Sequence, residues 1–296
     1  MIMIDAHQHV WDRTRSPYAW LAADAMAPIR RNIDVAEGLQ HLDAAGIDGT
    51  ILVQADDTAA DTELMIDSAA DPRVVGVVGW VPLDRATEAE RMITDRSPLL
   101  IGIRNLIHDL PDPDWLLTYP VDQGLSVLER AGLPLDVPAV LPRHLEVIAG
   151  IADRHPELII VIDHLAKPPI GLSEREPWWS LIGDVAARPN VLAKVSGLYA
   201  AGSDPAAWSP DQLMPYVERA LEVFGAERLI YGGDWPVAIV AGDYVRTWPA
   251  IRGCLAALSE DEQAAILGGN AIRWYRLDPA RVDAAVAARA AAGAAE

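Results

Sequence analysis

Two histidines near the amino terminus, His7 and His9, have the spacing that most directly suggests chemistry. They lie in an apolar run that reads as a strand, and residues two apart on a strand point to the same face. Their Cα atoms would be roughly 6 to 7 Å apart at a rise of about 3.3 Å per residue. Two imidazoles so placed can converge on one metal ion or on one substrate carbonyl. His-x-His is only three residues long, so chance explains this pair equally well when it is taken alone.

Eight short apolar, β-branched runs alternate with amphipathic helical patterns along the chain. The predicted strands are 2–10, 50–55, 74–81, 99–106, 133–137, 158–165, 191–198 and 229–234. Continuous apolar strands between such helices indicate a parallel sheet covered on both faces. Eight units favour a closed (β/α)₈ barrel over an open doubly wound sheet, and no Gly-x-Gly-x-x-Gly follows any run. We expect one distorted barrel domain over residues 1–278 and an Ala-rich, frayed helical tail over residues 279–296.

Reactive side chains gather where these predicted strands end. Besides the two histidines they are Gln54, Arg104, His164, Lys194, Ser196 and Asp234, with His108 on the same rim. The active sites of such barrels lie at the C-terminal ends of the strands, so this placement favours a functional role. Each residue also has a structural alternative, such as a packed histidine, a barrel ion pair for Arg104 or helix capping by Asp234.

Strand alternation predicts which neighbours share the inner face. If His164 points into the barrel, Ile160 and Ile162 do so too, and Asp163 is an outward carboxylate near the surface. Asp5 would share the face of the two amino-terminal histidines at a deeper level. It would then orient an imidazole or another inward group.

Composition limits the classes of partner. The net charge of -19 over 296 residues argues against nucleic acid or an anionic membrane surface. The single cysteine, Cys254, excludes an intramolecular disulfide and a cysteine-based zinc site, and it fits a reducing compartment. No run of about 18 apolar residues is present. We therefore expect a soluble, cytoplasmic protein with a small-molecule substrate; a homo-oligomer is compatible with the sequence.

Six segments in order resemble one known superfamily. They are 4–11 (IDAHQHVW), 18–21 (YAWL), 102–104 (GIR), 163–168 (DHLAKP), 194–198 (KVSGL) and 232–236 (GGDWP). Together they resemble the amidohydrolase superfamily, of the amidohydrolase 2 type. More narrowly, they are similar to its sugar-acid lactonase branch of L-fuconolactonase- and L-rhamnonolactonase-like enzymes, related to 2-pyrone-4,6-dicarboxylate lactonase. The resemblance implies a barrel that hydrolyses esters or amides.

The resemblance also implies a site made of His7, His9, His164 and Asp234. The sequence departs from the fully metallated pattern at two strands. Arg104 stands where a bridging carboxylated lysine is expected, and the fifth predicted strand has no histidine. A binuclear centre is therefore not expected. The four remaining residues suffice for one divalent ion, zinc, and are also compatible with none.

The expected reaction is the opening of the lactone ring of a sugar acid, or of a related carboxylated lactone, by water. Asp234 would act as the base. Either a single Zn²⁺ or the imidazoles of His7, His9 and His164 would polarise the carbonyl, and the metal would also lower the pKa of bound water. Arg104 and Lys194 would hold substrate carboxylate, hydroxyls or developing charge. Further substrate contacts are expected from Gln54, His108, Ser196, Trp11, Tyr18, Trp20 and Trp235. The alternatives are a decarboxylase or hydratase of the same superfamily and a non-enzymatic ligand-binding barrel.

Overall fold

The computed structural model describes residues 1–202 and 204–293, and the strands in this part of the chain close into a parallel barrel. The strands are β1 Ile4–Gln8, β2 Gly49–Val53, β3 Val74–Gly79, β4 Leu100–Arg104, β5 Leu135–Val137, β6 Ile160–Ile162, β7 Val191–Val195 and β8 Leu229–Tyr231. Each pairs in parallel with the next, and the register shifts between β1 and β2, β2 and β3, and β3 and β4. The predicted distorted (β/α)₈ barrel is confirmed.

Helices follow the strands and cover the outside of the barrel. They are α1 Val35–Ala45, α2 Ala59–Ser68, α3 Ala86–Thr94, α4 Tyr119–Ala131, α5 Pro142–Arg154, α6 Trp178–Ala186, α7 Pro210–Phe224, α8 Tyr244–Leu255, α9 Glu260–Ala264, α10 Asn270–Trp274 and α11 Pro279–Gly293. Two end at a left-handed glycine, Gly46 after α1 and Gly132 after α4, because glycine adopts that conformation without a steric cost. Within the described ranges, every helix is too short or too polar to cross a membrane.

The barrel closes between β1 and the segment that follows β8. The His9 N–H donates to the Trp235 carbonyl at 2.8 Å, and the Asp234 N–H donates to the His7 carbonyl at 2.7 Å. These two hydrogen bonds join residues more than 220 positions apart at the C-terminal ends of the strands. Closure of the barrel therefore brings both amino-terminal histidines against Asp234.

The inner face of β6 differs from the strand-parity prediction. Val161 packs in a cluster of buried side chains that we call the inward cluster, which also contains Ile4, Ala6, Ile51, Leu192 and Ile230. Ile160 and Ile162 instead belong to the cluster that packs against the helices. Asp163 is fully buried rather than near the surface. The prediction was wrong because regular alternation ends at Ile162. His164 has φ 54° and turns inward through a left-handed backbone that strand periodicity does not describe.

The position of Asp5 also corrects the prediction. Ile4 and Ala6, not Asp5, pack in the inward cluster, and a bulge interrupts the alternation between Asp5 and Gln8. The Asp5 carboxylate accepts hydrogen bonds from the Gly233 N–H at 2.7 Å and from the Tyr244 hydroxyl at 2.9 Å. Asp5 therefore supports the turn that leads into Asp234, and not an imidazole.

The carboxy-terminal helix packs against the barrel. Val282 and Ala285 on α11 are buried in the inward cluster together with Tyr275 and Leu277. Arg281 donates to the carbonyl of Val74 at 2.9 Å. Over residues 279–293 the sequence thus forms a docked helix where a frayed one was expected, because its apolar side covers the barrel floor. The domain division at residue 278 stays a prediction, and residues 294–296 lie outside the described residues.

Placing a charge on the buried side of α11 tests this docking. Val282→Asp should lower the free energy of unfolding by about 2 to 4 kcal/mol, because an unpaired carboxylate would be buried. Ala284→Asp adds the same charge on the exposed side and should cost no more than about 0.5 kcal/mol. Chemical denaturation compares the two variants. Equal, small effects would mean that the helix does not dock in solution.

Candidate active site

Three imidazole nitrogens converge on one carboxylate oxygen at the top of the barrel. The Oδ1 atom of Asp234 lies 3.4 Å from Nε2 of His9, 3.7 Å from Nε2 of His7 and 3.9 Å from Nε2 of His164. All four side chains are buried. The structure therefore brings together the four residues that the sequence predicted as a metal site.

Hydrogen bonds at the opposite ring nitrogens orient two of these imidazoles. Nδ1 of His9 lies 2.8 Å from the carbonyl oxygen of Val53, and a carbonyl only accepts, so this nitrogen carries the proton. Nδ1 of His164 lies 2.8 Å from Oγ of Ser196, a hydroxyl that can accept in the same way. The Nε2 lone pair of His9 then points towards Asp234, and that of His164 does so when Ser196 accepts the hydrogen bond. Metal-binding histidines are usually oriented by such a bond.

Burial contributes to the metal-binding protonation state of the two histidines. It holds the pKa of His7 and the pKa of His164 well below the ordinary value of histidine, so both rings are neutral at pH 7. Burial alone would raise the pKa of Asp234, but His164, His9 and Lys167 outweigh it and keep that pKa below its ordinary range. Neutral imidazoles and an ionised carboxylate are the forms that bind a metal.

These donors fit one divalent cation. Lone pairs and a carboxylate oxygen only 3.4 to 3.9 Å apart in a buried space repel one another unless a cation lies between them. A tetrahedron with zinc bonds of about 2.0 to 2.2 Å has edges of about 3.4 Å, close to these separations. Nε2 of His7 is buried and has no hydrogen-bond partner among the described residues. Its Nδ1 lies 3.3 Å from Asp163 Oδ1, a carboxylate oxygen that can accept a hydrogen bond from an Nδ1–H group.

A buried ionic network lies directly beneath His7. Nζ of Lys194 lies 2.5 Å from Oδ2 of Asp136, 3.1 Å from Nδ1 of His7 and 3.3 Å from Oδ1 of Asp163. Burial raises the pKa of Asp136 to about 6, although Lys194 opposes it. For Asp163 the nearby cations outweigh burial and hold the pKa well below its usual range. Lys194 is therefore a fully buried support of the site. This placement corrects the expectation from the sequence that Lys194 holds the substrate.

A cavity of about 190 Å³ opens above the convergent imidazoles. Its polar wall consists of His9, Arg104, His108, His164, Lys167 and Asp234. Its apolar wall consists of Trp20, Met26, Ala55, Leu106, Pro138, Val140 and Val237. The lining of the cavity therefore offers both charged or hydrogen-bonding groups and apolar surface.

Two predicted contact residues lie behind the polar wall. The Gln54 side-chain amide donates to Asp57 Oδ1 at 2.7 Å and to the backbone carbonyl of Arg104 at 3.1 Å. The backbone carbonyl of Gln54 accepts from Nη1 of Arg104 at 2.9 Å. Ser196 is buried under His164. Both residues thus hold cavity side chains in place.

Three predicted aromatic contacts are core residues. Trp11 donates to the Arg31 carbonyl at 2.6 Å, and its ring meets Trp20 edge-on at 5.3 Å. The Tyr18 hydroxyl donates to a buried aspartate, Asp61, at 2.7 Å. Trp235 is buried beside His41, with ring centroids 5.3 Å apart. Among the predicted aromatics, Trp20 is the one that lines the cavity.

Sequence reasoning missed three charged residues of this region. Asp136 could have been identified, because it is an acidic residue inside an apolar predicted strand and a buried carboxylate needs a partner. Asp163 was assigned to the wrong face. Lys167 is one of only two lysines in the chain and lies in the 163–168 segment, but no role was given to it.

Comparison with known proteins decides the family. The amidohydrolase family model matches residues 4–277. The chain belongs to the amidohydrolase family. This amidohydrolase is 37% identical over 284 residues to an L-fucono-1,5-lactonase of Burkholderia ambifaria, with 93% of this chain and 96% of that protein covered. It is 32% identical over 295 residues to an L-fucono-1,5-lactonase of Burkholderia multivorans, with 93% and 96% covered.

Solved structures agree with this assignment. The crystal structure of an amidohydrolase from Burkholderia multivorans with bound zinc is 27% identical and has a TM-score of 0.87, covering 94% of this chain and 100% of that one. A probable 2-pyrone-4,6-dicarboxylic acid hydrolase from Acinetobacter baumannii is 20% identical, has a TM-score of 0.73 and shares the fold. The resemblance noted in the sequence is confirmed.

Gly197 provides a steric test of the site. Its φ is +53°, and a Cβ there would lie 2.5 Å from His164 Nδ1 and 2.6 Å from Asp234 Oδ2. Gly197→Ala should therefore displace both side chains and lower bound zinc and turnover by about tenfold or more, since such strain costs of order 1 to 3 kcal/mol. Gly253→Ala, where a Cβ meets nothing within 4 Å, should leave both unchanged. Metal analysis and kinetics would contradict this account if the two variants behave alike.

The hydrogen bond between the Ser196 hydroxyl and His164 provides a second test of the site. Ser196→Ala removes the group that orients His164, so zinc affinity should fall by about 10- to 100-fold. Ser126→Ala, on the outer helix α4, is the control and should keep the parental affinity. Competition with a chromogenic chelator measures both. An unchanged affinity in Ser196→Ala would show that His164 needs no such support.

Proposed function

We propose that this amidohydrolase opens the lactone ring of a sugar acid by the attack of water on the carbonyl carbon. The observation that carries the proposal is the convergence of three imidazoles on Asp234 at the floor of a cavity. Its two relatives at 37% and 32% identity are L-fucono-1,5-lactonases, and both match over nearly their whole length. The cavity, at about 190 Å³, is smaller than the roughly 300 to 1,000 Å³ of drug-sized sites, which suits a single sugar ring.

The residues of the site divide the chemistry among them. A divalent ion held by the three imidazoles and Asp234 would polarise a carbonyl oxygen or lower the pKa of bound water. Asp234 is held ionised and can accept the proton of the attacking water. Arg104 is fixed by Asp163, whose Oδ2 lies 2.9 Å from its Nε, so it presents its guanidinium to the cavity in one orientation.

Neutral and aromatic groups complete the sugar site. Partial burial of the His108 side chain, with the nearby Arg104 cation, lowers the pKa of His108 below its ordinary value, so its imidazole is uncharged at pH 7. A neutral imidazole both donates and accepts hydrogen bonds, which suits sugar hydroxyls. The Trp20 side chain offers an aromatic surface to the less polar face of the ring.

We further propose that the enzyme works in a reducing compartment, such as the cytoplasm. Cys254 is a buried free thiol. Burial raises its pKa to about 11, so very little of the reactive thiolate is present at pH 7. The chain has no other cysteine, so it holds a free thiol and no internal disulfide, which supports a reducing compartment.

A panel of neutral aldonolactones in weakly buffered solution tests the reaction. Ring opening releases one proton for each molecule hydrolysed, so a pH indicator should record acidification. Asp234→Asn should lower kcat by about 10²- to 10⁴-fold while the unfolding transition is kept, because the base is lost. Asp283→Asn, on the exposed side of α11, is the matched control and should keep full activity.

Two results would contradict this proposal. Release of carbon dioxide from a small carboxylic acid, without acidification by any lactone, would indicate a decarboxylase on the same barrel. Full turnover by Asp234→Asn would remove this carboxylate from the base role.

A further inference from the structure

Lys167 differs from the other cations of the site in its partners. Arg104 is paired with Asp163 at 2.9 Å, and Lys194 is paired with Asp136 and Asp163. Both charges are therefore neutralised by buried carboxylates. Lys167 lines the cavity, and no carboxylate oxygen in residues 1–202 and 204–293 lies within 4.0 Å of its Nζ.

The contacts of Lys167 fix its ammonium without using all of its hydrogen-bond donors. Nζ donates to the Gly197 carbonyl at 3.2 Å and lies 5.2 Å from the centre of the Tyr199 ring. An ammonium has three N–H donors, so two remain for another ligand. The side chain is exposed to the cavity, in contrast to the fully buried Lys194.

A left-handed turn brings Lys167 to the same cavity as His164. The four consecutive residues His164, Leu165, Ala166 and Lys167 have φ values of 54°, 50°, 58° and 49°. This conformation costs an L-residue roughly 1 to 2 kcal/mol, and it is seldom adopted by residues in succession. Residues three apart in such a turn lie on the same side, and both ends of this one line the cavity. Strain of this kind is concentrated at functional sites.

We propose that Lys167 binds the negative charge that arises on the substrate during ring opening and that remains on the product carboxylate. The proposal rests on the proposed lactonase function. A lactone is neutral, so an ammonium gains little from it in the ground state. As the water oxygen bonds to the carbonyl carbon, the carbonyl oxygen becomes negative, and the interaction with the cation strengthens.

The proton balance leaves Lys167 protonated throughout. Asp234 accepts one proton of the attacking water, the bond between the carbonyl carbon and the ring oxygen breaks, and that proton passes to the ring oxygen. The second water proton leaves the new carboxylic acid for solvent. The product is a hydroxy acid with an ionised carboxylate, which is the partner that Lys167 lacks among the described residues.

Kinetics on a neutral lactone give the first test. Lys167→Met should lower kcat by about 10- to 100-fold and change KM by no more than about twofold, since the lost charge-assisted bond forms mainly in the transition state. Lys167→Arg should restore a large part of kcat. Arg85→Met removes an exposed cation that is paired with Glu88 and should match the parent enzyme.

Calorimetry gives a second test that does not depend on turnover. The probes are L-fuconate and L-fucitol, which differ in that the carboxylate is replaced by a neutral alcohol. In Lys167→Met the affinity for L-fuconate should fall by about tenfold or more, while that for L-fucitol should change by less than about twofold. Lys167→Gln is the second charge-free variant, and both need a thermal unfolding transition like that of the parent.

The outcomes separate the two proposals. Equal losses for both probes, unchanged L-fuconate affinity, or no L-fuconate binding by the parent would overturn the role of Lys167. If no lactone is hydrolysed but L-fuconate binding still depends on Lys167, the proposed function fails and the anion site stands. Unchanged kcat in Lys167→Met with normal lactone turnover by the parent would overturn the transition-state role alone.

Discussion

Buried electron pairs that face one another impose the main constraint on this site. Three imidazole nitrogens lie within 3.9 Å of a single Asp234 oxygen, in surroundings that keep His7 and His164 neutral. Such an arrangement is unfavourable on its own and becomes favourable with a cation at its centre. The strain of the left-handed turn at His164 and the barrel closure at Asp234 are both required to assemble it.

The chain separates two kinds of charge around these donors. Beneath them, Lys194 and Arg104 form ion pairs with Asp136 and Asp163. The charges of these four residues therefore balance without a ligand. Above them, Lys167 faces the cavity without a carboxylate partner among the described residues. A protein of net charge -19 thus keeps an ammonium without a carboxylate partner, among the described residues, where an anion forms in the proposed reaction. The paired charges beneath the donors fix the geometry of the site, and Lys167 above them is available to bind the substrate.

Periodicity and strand-end chemistry predicted the barrel and its central donors, because both are local patterns. The alternation of apolar runs and helices located the strands, and the strand ends located His7, His9, His164 and Asp234. The prediction of inward and outward residues was wrong at β6, because the left-handed backbone after Ile162 reverses the direction of the side chains. The alternation of residues along a strand does not predict such a backbone. The roles of Lys194 and Asp136 depend on a contact 58 positions apart, which a single sequence does not reveal.

The dependence of lactone turnover on bound zinc tests the central claim most directly. Protein stripped with a chelator is titrated with Zn²⁺, and initial rates are recorded against the metal bound per chain. The account predicts rates that rise from near zero and level off at one equivalent, because the Nε2 atoms of His7, His9 and His164 converge on a single oxygen of Asp234. Full activity in metal-free protein, or a plateau only at two equivalents, would contradict it.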